Sequence, residues 1–150
     1  MDTRSWLIGI PTLPLLVSFT FLQKDWVGYI LINRGVYHLD SKNLPAAEAD
    51  LARSIELGPT YAKSYYNRGL VYQQQRKFDA ALQDYNKAIE LNPNLANAYI
   101  NRGNTYKDLN QIELALADYD RAIALDPTML ESYNNKGLLL QNMGNLQAAL

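Results

Sequence analysis

The chain has no cysteine and a single histidine, His38, among its 150 residues. The missing cysteine excludes disulfide bonds, thiolate catalysis and the cysteine-ligated zinc and iron–sulfur sites. One histidine leaves little for acid–base catalysis or metal binding, and no pair of carboxylates converges in the sequence pattern. The P-loop, dinucleotide-binding, zinc-protease and serine-hydrolase motifs are missing as well. We therefore expect no metal and no cofactor, and we do not expect an enzyme.

The chain also lacks an excess of positive or negative charge, because 14 Lys and Arg nearly balance 15 Asp and Glu and leave a net charge of −1. A nucleic-acid-binding surface needs clustered cations to neutralise phosphates, so we expect no nucleic-acid partner. Hydrophobic residues make up 48% of the chain and charged residues 19%, as in folded proteins. Tyrosine is abundant, with eleven copies against three Phe and two Trp.

Three kinds of residue marker recur with one period of 34 residues. The Asn-(Arg/Lys)-Gly triplets begin at Asn33, Asn67, Asn101 and Asn135; the prolines are Pro59, Pro93 and Pro127; and the alanines are Ala47, Ala81, Ala115 and Ala149. Shared spacing of three independent markers indicates internal repeats, each forming one structural unit that stacks on its neighbours. We define the repeats as residues 28–61, 62–95, 96–129 and a shortened 130–150, and we number the positions of each repeat from its first residue.

Apolar residues have helical spacing twice within each repeat. Positions 4, 8 and 11 form one stripe of a first helix, and positions 17, 20, 24 and 28 form one stripe of a second. The proline at position 32 ends the second helix, because proline cannot continue it. The glycine at position 8 indicates that the two helices lie close together, and we expect it to face the alanine at position 20. The spacing predicts an all-α fold of antiparallel helix pairs.

These residues resemble the tetratricopeptide repeat. The pattern of that family has an aromatic residue at position 4, Gly at 8, Tyr at 11, Ala at 20, an aromatic residue at 24, Ala at 27 and Pro at 32, and the second and third repeats match it throughout. The first repeat departs from the pattern at Leu31, His38, Leu51 and Ser54. The resemblance covers about residues 28–150 and implies a right-handed α-solenoid, in which first helices line a concave groove that binds peptides.

By the same period, the fourth repeat would turn after its first helix and stop at Leu150, just inside its second helix. Ala149 would then lie over Gly137 with little behind it. A stacked array leaves its last apolar face open unless a further helix covers it. We therefore expect that the natural chain continues, or that the open repeat self-associates.

The first 27 residues form a separate segment with an apolar run from Trp6 to Leu22 that contains no charge. A helix of this length falls just short of the hydrocarbon thickness of a membrane. Pro11 and Pro14 argue against a span, whereas Trp26 suits an interface. Four interpretations stay open: an uncleaved signal-anchor, a cleaved signal, an apolar helix of a soluble chain, and a misplaced start of the sequence. We expect an N-terminal apolar helix, a possible membrane tether through residues 6–22, and a membrane-associated or exported rather than cytoplasmic protein.

The resemblance places positions 2, 5, 6, 9, 12 and 13 of the first helices on the groove. The predicted groove residues are Asn33, Lys63, Tyr66, Asn67, Leu70, Asn97, Ile100, Asn101, Asn104, Lys107 and Asn135. Position 6 is asparagine in every repeat, and a column of amides would match the alternating N–H and C=O groups of an extended peptide. The alternative is that these asparagines are solvated or cap neighbouring groups. Family members that grip a C-terminal carboxylate use further cations, and here only Lys63 matches them.

Position 7 carries Arg34, Arg68, Arg102 or Lys136, and position 23 carries Asp50, Asp84 or Asp118. This parallel recurrence predicts ion pairs between paired helices or across neighbouring repeats; the alternative is a solvated charged face. For function we predict a scaffold that binds a protein or peptide. The alternative is a regulatory or substrate-presenting module of a larger enzyme whose catalytic part lies beyond residue 150.

Overall fold

The computed structural model describes the backbone of residues 12–148 and the side chains of residues 23–144. This part of the chain forms seven α-helices and no strand, which confirms the all-α prediction. The helices are α1 (Thr12–Asp40), α2 (Leu44–Leu57), α3 (Ala62–Gln74), α4 (Phe78–Leu91), α5 (Ala96–Asp108), α6 (Ile112–Leu125) and α7 (Leu130–Ala148).

The helices pack as successive pairs that stack on one another. The pairs are α1 with α2, α3 with α4 and α5 with α6, and each second helix also contacts the first helix of the next pair. Within a pair the chain reverses at one residue in the left-handed conformation, with φ of 59° at Lys42, 59° at Arg76 and 58° at Asn110. These three residues share position 15 of the repeat. One turn geometry therefore recurs with the sequence period.

Proline decides where the second helices end. α2, α4 and α6 end at Leu57, Leu91 and Leu125, each two residues before its proline. Asp25 occupies the equivalent place one period before Pro59, and there α1 continues without a break. Residues 12–27 therefore belong to the same helix as the first repeat, and a distinct N-terminal apolar helix is not confirmed.

The predicted membrane tether over residues 6–22 lies partly outside the described residues, since the structure describes nothing before residue 12. Among the helices of residues 12–148, none combines the length and the apolar character that crossing a membrane requires. The tether therefore stays a prediction.

The glycine at position 8 faces a different residue from the one predicted. A Cβ at Gly69 would lie 2.6 Å from the Tyr85 ring, and one at Gly103 would lie 2.8 Å from the Tyr119 ring. The tyrosine at position 24 therefore lies closest to the glycine, although the backbone oxygen of Ala115 at position 20 also lies 3.3 Å from a Cβ at Gly103. The physical reason is size, because the absent side chain makes room for a whole aromatic ring, which is then fully buried.

The fourth repeat also differs from the prediction. α7 continues through position 15, which is Gly144, and is helical as far as Ala148, the last residue that the structure describes. The predicted contact of Ala149 lies outside the described residues. A Cβ at Gly137 would meet nothing within 4 Å, so no second helix among the described residues covers α7 as α2, α4 and α6 cover the first helices before it. Without such a packing partner, nothing compensates for breaking the backbone hydrogen bonds of α7.

Candidate groove along the first helices

The first helices lie side by side, because α1 contacts α3, α3 contacts α5, and α5 contacts α7. The predicted groove residues fall into three classes of exposure on these four helices. The exposed ones are Asn33, Lys63, Asn97 and Lys107; the half-buried ones are Tyr66, Leu70, Asn101, Asn104 and Asn135; and the buried ones are Asn67 and Ile100. Amides therefore run along the whole row of first helices, and cations are few.

Ile100 was predicted to line the groove but is only 1% exposed. It belongs to a core cluster with Tyr99 and Ala122, against which Ile89 packs. Its side chain therefore offers no surface to a ligand. The position-5 residue of the first repeat, Ile32, is half-buried, so burial at this position varies from repeat to repeat.

The asparagines of position 6 connect neighbouring first helices. Asn101 Nδ2 in α5 donates to Tyr66 Oη in α3 at 3.1 Å and to the backbone oxygen of Asn97 at 2.9 Å. Asn135 Nδ2 in α7 donates to Asn104 Oδ1 in α5 at 3.1 Å. Both amides therefore already have acceptors within the protein. A ligand that uses these donors must take the place of those acceptors.

Buried tyrosine hydroxyls fix further amides on this side of the array. Tyr85 Oη donates to Gln73 Oε1 at 2.7 Å, and Tyr119 Oη donates to Asn104 Oδ1 at 2.7 Å. Burial raises the pKa of Tyr119 to about 12, and the nearby carboxylates add to the effect. Burial also raises the pKa of Tyr85 and of Tyr66. The hydroxyls of Tyr85 and Tyr119 therefore stay protonated and keep donating even at pH 10, the ordinary pKa of tyrosine.

A shallow pocket of about 340 Å³ lies between the start of α3 and the middle of α1. Its lining residues are Asp25, Tyr29, Ile32, Tyr61, Ala62 and Lys63, and its surface is mostly carbon. Tyr61 Oη donates to the Asp25 carboxylate, and this hydrogen bond is the main cause that raises the pKa of Tyr61 to about 12. The predicted groove residues include only Lys63 from this pocket. The sequence could have identified Tyr29 and Ile32 as groove residues, because they occupy positions 2 and 5 of the first repeat.

The predicted pairs between positions 7 and 23 join the two helices of each of the first three repeats through two hydrogen bonds. Arg68 Nε and Nη2 donate to Asp84 at 2.7 and 2.8 Å. Arg102 makes the same two bonds to Asp118 at 2.8 and 2.6 Å. Both aspartates are buried, with 5% exposure each, so these pairs are not a solvated charged face. The hydrogen bonds to Asp84 raise the pKa of Arg68.

Each of these two arginines also lies between two tyrosine rings of its own helix. The guanidinium of Arg68 is 5.8 Å from the Tyr65 ring centre and 5.6 Å from that of Tyr72. Arg102 repeats the arrangement with Tyr99 and Tyr106 at 5.4 and 5.9 Å. Such cation–π contacts hold the arginine side chain in line with its aspartate. Positions 4, 7, 11 and 23 therefore act together in fixing the helix pair.

Within the described part of the chain, no three His, Asp or Glu side chains are grouped so that they could hold a metal ion. His38 is partly buried, and its Nε2 lies 3.7 Å from Asp50 Oδ2. Asp50 already accepts two hydrogen bonds from Arg34. The histidine therefore takes part in the contact between α1 and α2.

Matches to known protein families recur with the same 34-residue period. One family model described as tetratricopeptide repeat matches residues 62–95 and again residues 96–129. A second model with the same description matches residues 118–150. Together the matches span residues 62–150, which is more than half of the chain. A comparison with curated proteins found no match.

Solved structures of similar fold include the first tetratricopeptide domain of Spaghetti (RPAP3) bound to the HSP90 peptide SRMEEVD. Its sequence is 25% identical and its TM-score is 0.77, and the match covers 80% of this chain and 95% of that one. The tetratricopeptide domain of Arabidopsis OM64 has 23% identity and a TM-score of 0.77, covering 79% and 98%. The first such domain of human RPAP3 has 24% identity and a TM-score of 0.77, covering 83% and 98%. With the 34-residue period, the helix pairs and these matches, the chain belongs to the tetratricopeptide repeat family.

Proposed function

We propose that this protein is a scaffold that binds an extended segment of another protein along the row of first helices. The observation that carries the proposal is the run of amide side chains at one place in successive repeats, from Asn33 in α1 to Asn135 in α7. An extended peptide presents backbone donors and acceptors at regular intervals, and amides can satisfy both. The bound peptide in the Spaghetti domain supports this use of the fold.

The segment that fits this groove is neutral rather than acidic. The peptide bound by the Spaghetti domain ends in Glu-Glu-Val-Asp and therefore carries several negative charges. Here the exposed lysines of the predicted groove are Lys63 in α3 and Lys107 in α5, and the exposed carboxylates of Asp108 and Glu131 lie in α5 and α7. Charges of both signs give little net attraction for an acidic tail. Apolar side chains of the ligand would instead enter the pocket beside Tyr29 and Ile32.

Binding would exchange hydrogen bonds within the protein for hydrogen bonds to the ligand. A peptide carbonyl would replace Tyr66 Oη as the acceptor of the Asn101 amide. Such an exchange contributes little net free energy, because one hydrogen bond is lost for each one gained. The amides therefore set the register of the peptide backbone, and burial of apolar side chains supplies most of the affinity.

The test uses neutral peptides selected against the whole protein from a random displayed library. We expect Asn101→Ala to weaken binding of the selected peptides about tenfold, which corresponds to about 1.4 kcal/mol. Asn94→Ala is the matched control, because Asn94 is exposed in the turn before α5. Circular dichroism would verify that helicity is kept. Asn67 is a poorer choice, since it is only 9% exposed and its replacement would also disturb packing.

Equal affinity of wild-type protein and the Asn101→Ala variant would refute the role of the amide column. Selected peptides that are all acidic would contradict the neutral groove. Fluorescence polarisation of a labelled peptide measures the affinities, and circular dichroism of the same variants separates loss of binding from loss of folding.

Two further partner interactions are part of the proposal. Residues 6–22 would tether the protein to a membrane, and the last repeat would mediate self-association. For the second, α7 exposes Leu138 and Leu140 with 59% and 46% of their surface accessible. Sedimentation of the protein over a range of concentrations tests it, and a constant mass would refute it.

A further inference from the structure

The outer face of α1 differs from the equivalent face of every later first helix. Positions 3 and 10 of the repeat are buried in α3, α5 and α7, at 0–4% exposure: Ser64, Ala98, Ser132, Val71, Thr105 and Leu139. In α1 the same positions are Ile30 and Tyr37, which are 44% and 66% exposed. Trp26 lies one turn before Ile30 and is 65% exposed. We call Trp26, Ile30 and Tyr37 the α1 face.

A second helix covers positions 3 and 10 wherever they are buried. Ser54 Oγ in α2 and Ser64 Oγ in α3 form a hydrogen bond of 2.8 Å. Leu139 in α7 belongs to a core cluster with Ala115 and Tyr119 of α6, and Leu116 packs against it. Among the described residues, no helix takes this place on α1. The α1 face therefore continues a stacking surface that the array uses three times.

A helix that covers the α1 face would also have to match the charge beside it. In the third and fourth repeats, the cation at position 7 reaches back to position 25 of the preceding helix. Arg102 Nη1 donates to Asn86 Oδ1 at 2.6 Å, and Lys136 Nζ contacts Asp120 Oδ1 at 2.5 Å. Arg34 occupies position 7 of the first repeat, and 56% of its side chain is exposed, against 21% for Arg68 and 18% for Arg102. Arg34 thus offers a cation beside the apolar α1 face.

We propose that the α1 face binds an amphipathic helix of a partner protein that imitates the second helix of a repeat. The pattern follows from α4 and α6, which carry a leucine, an Asn or Asp four residues later, an alanine six later and an isoleucine seven later. In α4 these are Leu82, Asn86, Ala88 and Ile89; in α6 they are Leu116, Asp120, Ala122 and Ile123. The acidic or amide residue would meet Arg34, and the aliphatic residues would cover the α1 face.

The small residue of this pattern matters more on α1 than elsewhere. Position 3 is Ser or Ala in the later repeats, and in the second repeat it meets position 27 of the preceding helix, where Ser64 contacts Ser54. Ile30 is larger, so only a residue such as alanine opposite it allows the two backbones to approach. This surface is separate from the groove of the proposed function, and the two proposals fail independently.

The test titrates a synthetic peptide of residues 111–126, which contains the sequence of α6, into the whole protein. A Trp6→Phe background leaves Trp26 as the single tryptophan, so its fluorescence reports burial of the α1 face. We expect a saturable blue shift at peptide concentrations up to about 1 mM. We expect Ile30→Asp to weaken binding at least about tenfold, whereas Leu114→Asp is the matched control on an exposed residue of α6.

The peptide supplies a second control that does not depend on how the protein variants fold. Asp120→Lys in the peptide places a cation against Arg34 and should abolish the fluorescence shift. Glu113→Lys makes the same change in charge on a side chain that is exposed in α6 and should leave the shift intact. Equal effects of the two peptide variants would overturn the proposal.

Other occupants of the α1 face would give different outcomes. Self-association of the protein alone that disappears in Ile30→Asp would assign the face to a second copy. Peptide binding that appears only after residues 1–11 are removed would assign it to the N-terminal segment of the same chain. Either result, or no saturable shift, would overturn the proposal.

Discussion

The second and third repeats differ from the first and fourth in burial far more than in sequence. At position 4, Tyr99 of the third repeat is 8% exposed and Tyr133 of the fourth is 46% exposed; at position 10, Val71 and Thr105 are fully buried and Tyr37 of the first repeat is 66% exposed. Gly103 and Gly137 share position 8, yet only Gly103 has an aromatic ring against it. In a stacked array each repeat contacts only its neighbours. The environment of a residue is therefore set by the helices on either side of it.

The largest expected effect compares these two glycines. Gly103→Ala should lower the free energy of unfolding by about 1–3 kcal/mol, because overpacking displaces a buried side chain. The new Cβ would lie 2.8 Å from the Tyr119 ring and 3.3 Å from the Ala115 backbone oxygen. Gly137→Ala should instead raise the free energy of unfolding by about 0.5–1 kcal/mol, since alanine favours a helix and nothing lies within 4 Å of the new Cβ. Urea unfolding measures both; a similar effect at the two sites would contradict the comparison.

A smaller difference is expected between the ion pairs of the interior and of the first repeat. A double-mutant cycle on Arg102 and Asp118 should give a coupling of about 1–3 kcal/mol, because both side chains are mostly buried, at 18% and 7% exposure. The pair of Arg34 and Asp50 should couple more weakly, since solvent screens the 56% exposed arginine. If the two cycles gave equal coupling, burial by the neighbouring repeat would not be the cause.

The smallest expected effect appears only at alkaline pH. Because the folded pKa of Tyr119 is raised from 10 to about 12, the unfolded chain loses this proton first. Stability from this group is complete below pH 10 and is lost as pH rises towards 12, by at most about 1.4 kcal/mol per pH unit. Tyr119→Phe should reduce this slope, whereas Tyr37→Phe, at a 66% exposed side chain, is the control. Chemical unfolding at pH 9 to 11.5 measures the slope.

Much of the fold was predictable because helices and turns depend on nearby residues. Spacing of apolar positions located the helix pairs, and Pro59, Pro93 and Pro127 located the ends of α2, α4 and α6. The same reasoning failed at both ends of the array. Asp25 stands where the period would place a proline, and we drew no prediction from it. In the structure α1 continues past Asp25, from Thr12 to Asp40.

The candidate groove was less predictable than the fold. The pattern located the first helices, but it could not show that Ile100 is buried while Ile32 borders a pocket. Nor could it show that Tyr66 accepts a hydrogen bond from Asn101, since these residues belong to different repeats. Contacts between repeats depend on the distance and orientation of the stacked helices, which no single repeat encodes.

The sequence by itself determined the period, the helical class and the recurring pairs of arginine and aspartate, because each depends on residue types at fixed spacing. Only the tertiary structure decided that the residue at position 24, which is Leu51, Tyr85 or Tyr119, lies closest to the glycine of each complete repeat, and that the α1 face is open. The physical reason is that burial belongs to the assembly of helices. A residue type fixes what a side chain can contact, and the neighbouring helix fixes whether the contact is made.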